Sequence, residues 1–387
     1  PKTYWNFCDR LHRNGVNVLG IGDAPFDEIP WELKQCLTEY YRVNDLGNYD
    51  EMLRAVAYFT FHYGKIDWIE SNNEYWLEMD AQLRTDFNIN TGAKNDFIER
   101  IKYKSKMKES YIAAGVPVAR YHIVSTLAEA RAFIKEVGYP VIVKPDNGCG
   151  AEATYKLHNF TELKKFYAEP HNVQYIMEEY ICGEVTTYDG LCNSRGEVLF
   201  AASHITPSSI MDMVNQSDDC KFYIVKDLPE DTKRAGRATV KAFGVKSRFV
   251  HFEFFRLRQD QKGLGRRGEI MALEVNMRPS GGFSADMFNF ANSTDVYKIW
   301  ADMVAYDRST VSSEGREHFY CCFCGRRDGK NFAMDHTAIM AKYGDRIKMV
   351  QRIPKALSGA MADMMYLANM RTEEEKAAYY RDLLATK

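Results

Sequence analysis

The run Val141-Ile142-Val143-Lys144-Pro145, followed by Asp146-Asn147-Gly148-Cys149-Gly150-Ala151 and a second short apolar segment from Thr154 to Leu157, limits the fold more than any other stretch. A β-branched run of this kind reads as a buried strand, and the glycine loop after it returns the chain into another strand. P-loops and dinucleotide-binding turns both need the strand to pass directly into a helix whose first turn meets phosphate. Neither motif is present. What the residues describe is a flexible glycine hairpin with a lysine, Lys144, ending an apolar strand and its ammonium directed at something anionic.

Around this hairpin the chain alternates. Helix-like spacing at Trp5, Cys8 and Leu11 precedes a short strand, Val16 to Gly22, so the chain opens on a helix where an open α/β unit normally opens on a strand. The expectation is that an apolar strand precedes Pro1, with Pro1-Lys2-Thr3 as the loop after it. A helix near Pro30 to Leu37, strand Tyr40 to Asn44, helix Tyr49 to His62 and strand Ile66 to Glu70 then suggest a small parallel sheet. From Ile98 to Ala114 a lysine-rich helix runs to the stop signal Gly115-Val116-Pro117. Strands at 173–179, 184–192 and 197–204, a long polar loop from Thr206 to Phe222, a helix from Pro229 to Phe243 and strands at 249–257 and 269–276 follow. The last 80 or so residues read as mixed α/β, ending in a charged helix near Glu373 to Leu384.

Across 387 residues, 51 Lys and Arg against 53 Asp and Glu leave a formal charge of -2, so no bulk positive field asks for nucleic acid or anionic lipid. No apolar run reaches the ~18 residues of a membrane span. Nine cysteines without regular spacing fit a reducing, cytoplasmic setting.

The chemistry concentrates on two strands. Residues two apart share a strand face, so Glu274, Asn276 and Arg278 project together, as do His251 and Glu253 on the neighbouring strand. Two carboxylates and an amide oxygen form a hard oxygen site suited to magnesium, and Arg278 adds a planar fork where a phosphoryl or acyl-phosphate oxygen would sit. Lys104, eleven residues before Gly115, lies among Lys102, Lys106 and Lys108, a pattern that usually marks a solvated helix face.

These elements in this order resemble the ATP-grasp superfamily over residues 95 to 305, and VIVKPDNGCGA, MEEYICGE and ALEVNMRPSGG look most like its carboxylate-amine ligases, including L-amino acid ligases and carbamoyl phosphate synthase modules. The resemblance implies an α/β (α+β) architecture: a small parallel pre-ATP-grasp domain over 1–94, an ATP-grasp domain over 95–305 with a lid at about 118–182, and a C-terminal mixed α/β segment over 306–387. It implies ATP and two magnesium ions, with manganese as a substitute. Lys104 and Lys144 would hold phosphates with the loop of Gly148 and Gly150. Glu178 and the backbone of Glu179 and Ile181 would meet the adenine, and Glu184 the ribose. Glu253, Glu274 and Asn276 would ligate metal, Arg278 would stabilise the transferred phosphoryl group with Lys144, and His251, Ser280, Gly281 and Gly282 would face substrate.

The implied reaction activates a carboxylate as an acyl phosphate and joins it to an amine. Bicarbonate activation is the enzyme alternative, and a silent nucleotide-binding scaffold the non-enzyme one. Small-molecule carboxylate and amine partners are expected, with a homodimer compatible and neither nucleic acid nor membrane implicated. The 206–222 loop, with Met211 and Met213, is the candidate cover over the substrate. Cys321, Cys322 and Cys324 with His318 suggest zinc, but on a strand Cys321 points away from the other three, which favours structural thiols. Cys149 has no identifiable partner for nucleophilic work.

Overall fold

The computed structural model describes residues 5–148, 153–207 and 220–387. Cys149 and Gly150 of the glycine loop, Met211 and Met213 of the polar loop, and Pro1 to Tyr4 lie outside the described residues. In chain order the first elements are α1 (Trp5–Arg13), β1 (Leu19–Gly22), α2 (Trp31–Lys34), β2 (Glu39–Arg42), α3 (Tyr49–Tyr63) and α4 (Leu77–Asp86). Strand β1 pairs in parallel with β2. The expected strand at Ile66 to Glu70 does not form: its carbonyls are taken by side chains, Ile69 by the Arg84 guanidinium (Nε at 3.1 Å) and Asp67 by Thr91 Oγ1 at 2.7 Å.

The lysine-rich segment is two helices, α5 (Glu99–Lys102) and α6 (Lys104–Ala113), because Tyr103 is extended at φ -90 and ψ 121. The break gives α6 its own N-terminus, which Asp146 caps from beyond the hairpin strand: Ser105 N and Oγ donate to its carboxylate at 2.8 and 2.7 Å. No local signal could announce a break whose cap lies 41 residues away in sequence.

Next come β3 (Tyr121–Ile123), α7 (Leu127–Val137), β4 (Val141–Pro145), β5 (Tyr155–Leu157), α8 (Phe160–Ala168) and β6 (Tyr175–Glu179). The four strands form an antiparallel sheet in the order β3-β6-β4-β5, packed on α7 and α8 through Ala130, Ile134, Val143, Leu163, Phe166 and Met177. The larger sheet is built from β7 (Gly183–Cys192), β8 (Val198–Ala202), β9 (His204–Thr206), β10 (Cys220–Ile224), then, after α9 (Glu230–Phe243), β11 (Arg248–Leu257) and β12 (Ile270–Asn276). Helices α10 (Ser284–Asn292) and α11 (Val296–Tyr306) precede β13 (Tyr320–Arg326), α12 (His336–Tyr343), β14 (Ile347–Arg352), α13 (Lys355–Met361), β15 (Met364–Met370) and α14 (Glu373–Leu384). Nine strands join in the order β12-β11-β7-β9-β10-β13-β15-β14, with β8 beside β7. The C-terminal strands thus extend the same sheet.

Alternation along these strands sorts residues onto two faces. Val250, Phe252 and Phe254 pack with Met107 and Tyr111 of α6 and Phe243 of α9, while Phe249, Leu191, Cys321 and Phe323 pack under α10 and α11. Cys322 and Cys324 turn the other way, against Ile339, Tyr366 and Tyr379. The cysteine run therefore fills two core clusters, and the His318 ring bonds Asn292 Oδ1 at 3.2 Å.

One buried charge network fastens the first 90 residues to the large sheet. Glu70 lies 3.2 Å from Arg84 and 3.2 Å from Arg248 of β11, and Arg248 Nε donates to Met277 O at 3.1 Å. Removing one member of such a network strands the charges that face it. Glu70→Gln is expected to lower unfolding stability by roughly 3–5 kcal/mol, read from urea denaturation; an unshifted midpoint would show that the two arginines find other partners.

Candidate active site

Adjacent strands β11 and β12 set the floor of the site. Their antiparallel register places Glu253 opposite Glu274 and His251 opposite Asn276, with a register shift immediately after Glu253. Bulges of this kind re-aim side chains beside functional sites. The expected sharing of a face by His251, Glu253, Glu274 and Asn276 is what this register produces.

Two carboxylates directly opposite each other repel, and each has a different set of neighbours to offset this. Burial and the nearby Glu253 charge push Glu274 above the usual carboxylate range, with Lys104 Nζ, 3.4 Å away, opposing them. Burial acts on Glu253 too, but the bond from His251 Nε2 at 3.1 Å outweighs it and holds Glu253 low. His251 is held in turn by Asp189 of β7, whose Oδ1 meets Nδ1 at 2.8 Å. Asp189 also bonds Thr187 and, at 3.1 Å, His204 Nδ1. Burial lowers the His251 pKa, but the Asp189 charge and these bonds reverse that and raise it to about 9. Both ring nitrogens of His251 are thereby engaged, so its place is behind Glu253 rather than free for substrate.

The cationic wall comes from α6 and the small sheet. Lys104 Nζ donates to Gly148 O at 2.7 Å, closing on the glycine loop from the helix side. Lys144 of β4 lies 2.9 Å from Glu178 of β6, and Lys108 of α6 lies 2.9 Å from the other oxygen of the same carboxylate, as an ion pair without hydrogen-bond alignment. Burial raises the Glu178 pKa, yet the two ammonium groups overcome it and depress it to about 2. The expected solvated lysine face is therefore a correction: Lys102, Lys104 and Lys108 are all buried, Lys102 against Glu74, Lys104 against Gly148 O and Glu274, and Lys108 against Glu178. Sequence reasoning missed Lys108 for that reason.

Glu179, on the opposite face of β6, forks with Arg120 at 2.7 and 2.6 Å. The chain after it is clamped by a β11–β12 hairpin residue, Gln261, whose amide accepts from Cys182 N at 2.7 Å and donates to Tyr180 O at 3.1 Å. Cys182 O accepts from Arg258 N at 3.0 Å. Gln261 and Arg258 thus take up backbone groups of Tyr180 and Cys182, while Ile181 between them is buried with Ala119, Leu257 and Met271. Glu184 is half-buried, 3.9 Å from Arg258.

Arg278 spans the far end. It donates to Pro279 O at 2.9 Å and Asn276 Oδ1 at 3.3 Å, and pairs at 3.4 Å with Glu74 from the first 90 residues. Lys102 also holds Glu74, at 3.2 Å. Glu74 was not legible in the sequence, since the segment bearing it carries no motif. Beyond Arg278, Ser280 Oγ donates to Ser284 Oγ at 3.1 Å, Ser284 Oγ to Gly281 O at 2.8 Å, and Gly282 takes a left-handed φ of +64.

A family model described as the carbamoyl-phosphate synthase L chain ATP-binding domain matches residues 100–176. The fold aligns over 97% of this chain and 94% of the crystal structure of an L-amino acid ligase from Bacillus licheniformis, with TM-score 0.71 and 16% identity. The chain therefore carries a match to this ATP-binding domain over residues 100–176 and shares the fold of that ligase over nearly its whole length. The chain is 26% identical over 230 residues to the L-arginine-specific L-amino acid ligase of Bacillus subtilis, covering 57% of this chain and 53% of the relative. It is 29% identical over 96 residues to the carbamoyl phosphate synthase large chain of Clavibacter michiganensis subsp. michiganensis (strain NCPPB 382), covering 24% of this chain and 9% of the relative. The chain thus spans about half, or far less, of the length of these curated relatives.

The raised His251 pKa has a sign that can be tested. Its stabilising contribution is complete below the unfolded value, near 6.5, and is lost as pH rises through about 9. Thermal unfolding of the metal-free protein is expected to show stability falling across that window, and His251→Asn to flatten the fall. Parallel pH profiles for the two proteins would disprove the Asp189–His251 pairing as its source.

Proposed function

We propose that the chain is an ATP- and magnesium-dependent ligase that phosphorylates a carboxylate and lets an amine displace the phosphate, releasing ADP and phosphate. The observation that carries the reading is the cross-strand pair Glu253 and Glu274 with Asn276 beside it, facing Lys104 and the Lys144 wall. Two carboxylates and an amide oxygen fit magnesium by donor type, and a pair that raises the pKa of its own member is a pair that a cation would relieve. Bound ATP would supply the phosphoryl group, and magnesium the charge neutralisation at its oxygens.

The chain's own groups then have separable tasks. Lys104 and Lys144 hold phosphate oxygens, and Glu253 and Glu274 fix metal position. Arg278, kept in place by Glu74 and Asn276, meets the charge that grows as the substrate carboxylate oxygen attacks phosphorus and the bond to ADP breaks. The amine nitrogen next attacks the acyl carbon, phosphate leaves with the bonding pair, and the nitrogen gives up a proton. Closure of the small sheet over the cleft would keep water from the activated carboxylate. No described helix is long and apolar enough to cross a membrane.

ADP release by the purified chain, screened with MgATP against amino acids, dipeptides and small dicarboxylates, tests the reading. Glu274→Gln is expected to reduce the stimulated rate by roughly 10²-fold or more through loss of transition-state charge stabilisation, with thermal stability kept. Near-normal ADP release by that variant would remove Glu274 from the chemistry. Release stimulated by bicarbonate alone would replace amine ligation with bicarbonate activation.

A further inference from the structure

Lys144 stands at the end of β4, next to the glycine loop, where a nucleotide's phosphates would arrive. In the structure it is already paired, with Glu178 Oε2 at 2.9 Å. Glu178 is buried, and a buried carboxylate deprived of its partner is strongly disfavoured. If Lys144 were its sole cation, turning that ammonium toward phosphate would strand the carboxylate, and nucleotide binding would have to overcome that loss.

The second lysine changes the balance. Lys108 lies one helical turn beyond Lys104 on α6, so both project from one helix face. Lys104 reaches the loop at Gly148 O and the metal-site carboxylate Glu274, while Lys108, deeper along the helix, reaches Glu178 Oε1 at 2.9 Å and lies over the Tyr121 ring, 5.5 Å from its centroid. Tyr121 is opposite Glu178 across β3 and β6, so ring, carboxylate and ammonium sit in one layer away from the loop. Burial depresses the Lys108 pKa, whereas the carboxylates around Lys144 more than reverse the effect of burial there.

We propose that Lys108 is the standing counter-ion of Glu178, and that its presence frees Lys144 to exchange Glu178 for a nucleotide phosphate. This rests on the ATP-dependent reading above. Lys108 touches neither the reacting atoms nor the metal ligands and is a positioning residue. It acts through Glu178, which stays ionised and in place when Lys144 leaves.

Calorimetry with MgADP and MgATP on the full chain tests the exchange, using wild type, Lys108→Met, Glu178→Gln and the double variant. Lys108→Met is expected to weaken MgATP binding by roughly tenfold or more, because Lys144 is then retained by the carboxylate, a coupling of ordinary size for contacting charges. In the double variant the charge that needed a counter-ion is gone, so its affinity should recover to within about threefold of Glu178→Gln alone. A purely structural role for Lys108 gives no such recovery. Wild-type affinity in Lys108→Met, or a double variant as weak as Lys108→Met, would overturn the inference. Should Lys108→Met not fold, the comparison of the double variant with Glu178→Gln decides alone, and a tenfold gap between them would overturn the exchange. A wild-type chain that binds neither nucleotide would overturn the ATP reading and the inference with it.

Discussion

Two like charges facing each other across β11 and β12 govern the surrounding structure. Glu253 and Glu274 are opposite in register, and each needs cations or hydrogen-bond donors that its own strand does not contain. Glu253 draws on a chain of partners running inward through His251 to Asp189 and His204. Glu274 draws on Lys104 from α6. The two carboxylates therefore experience opposite shifts, one low and one raised, and that asymmetry is set by which element packs on which side.

The same logic explains the clustering of lysines that would ordinarily point to solvent. The start of α6 meets Asp146 and Gly148 just beyond β4, so Lys104 and Lys108 meet carboxylates and carbonyls instead of water. Asp146, at the end of that strand, caps α6 and closes the arrangement. The helix break at Tyr103, the cap and the lysine wall are thus one packing event: breaking the helix places Lys104 at a new N-terminus, where its side chain reaches the glycine loop.

Contacts from outside the two main sheets complete the site. Glu74 reaches Arg278 from the first 90 residues, and Gln261 from the β11–β12 hairpin takes up the outer backbone edge of the segment joining β6 to β7. Glu70, four residues before Glu74, is itself tied to Arg84 and to Arg248 of β11. A chain assembled this way relies on long-range ion pairs to orient groups that no single element could aim.

Strand periodicity is local, so the sequence by itself determined the two-residue spacing that puts Glu274 with Asn276 and His251 with Glu253, the hairpin nature of the glycine loop, and the order of lysine helix, hairpin, acidic strand and the strands carrying Glu253 and Glu274. Those readings need only neighbours within a few residues. Tertiary structure alone decided that Ile66 to Glu70 yields its carbonyls to Arg84 and Thr91 instead of joining a sheet, that both nitrogens of His251 are engaged, and that Lys108 is buried against Glu178. Each depends on a partner far away in the chain, 70 residues in the case of Lys108 and Glu178, and residue type carries no record of which distant charge will face it once water is excluded.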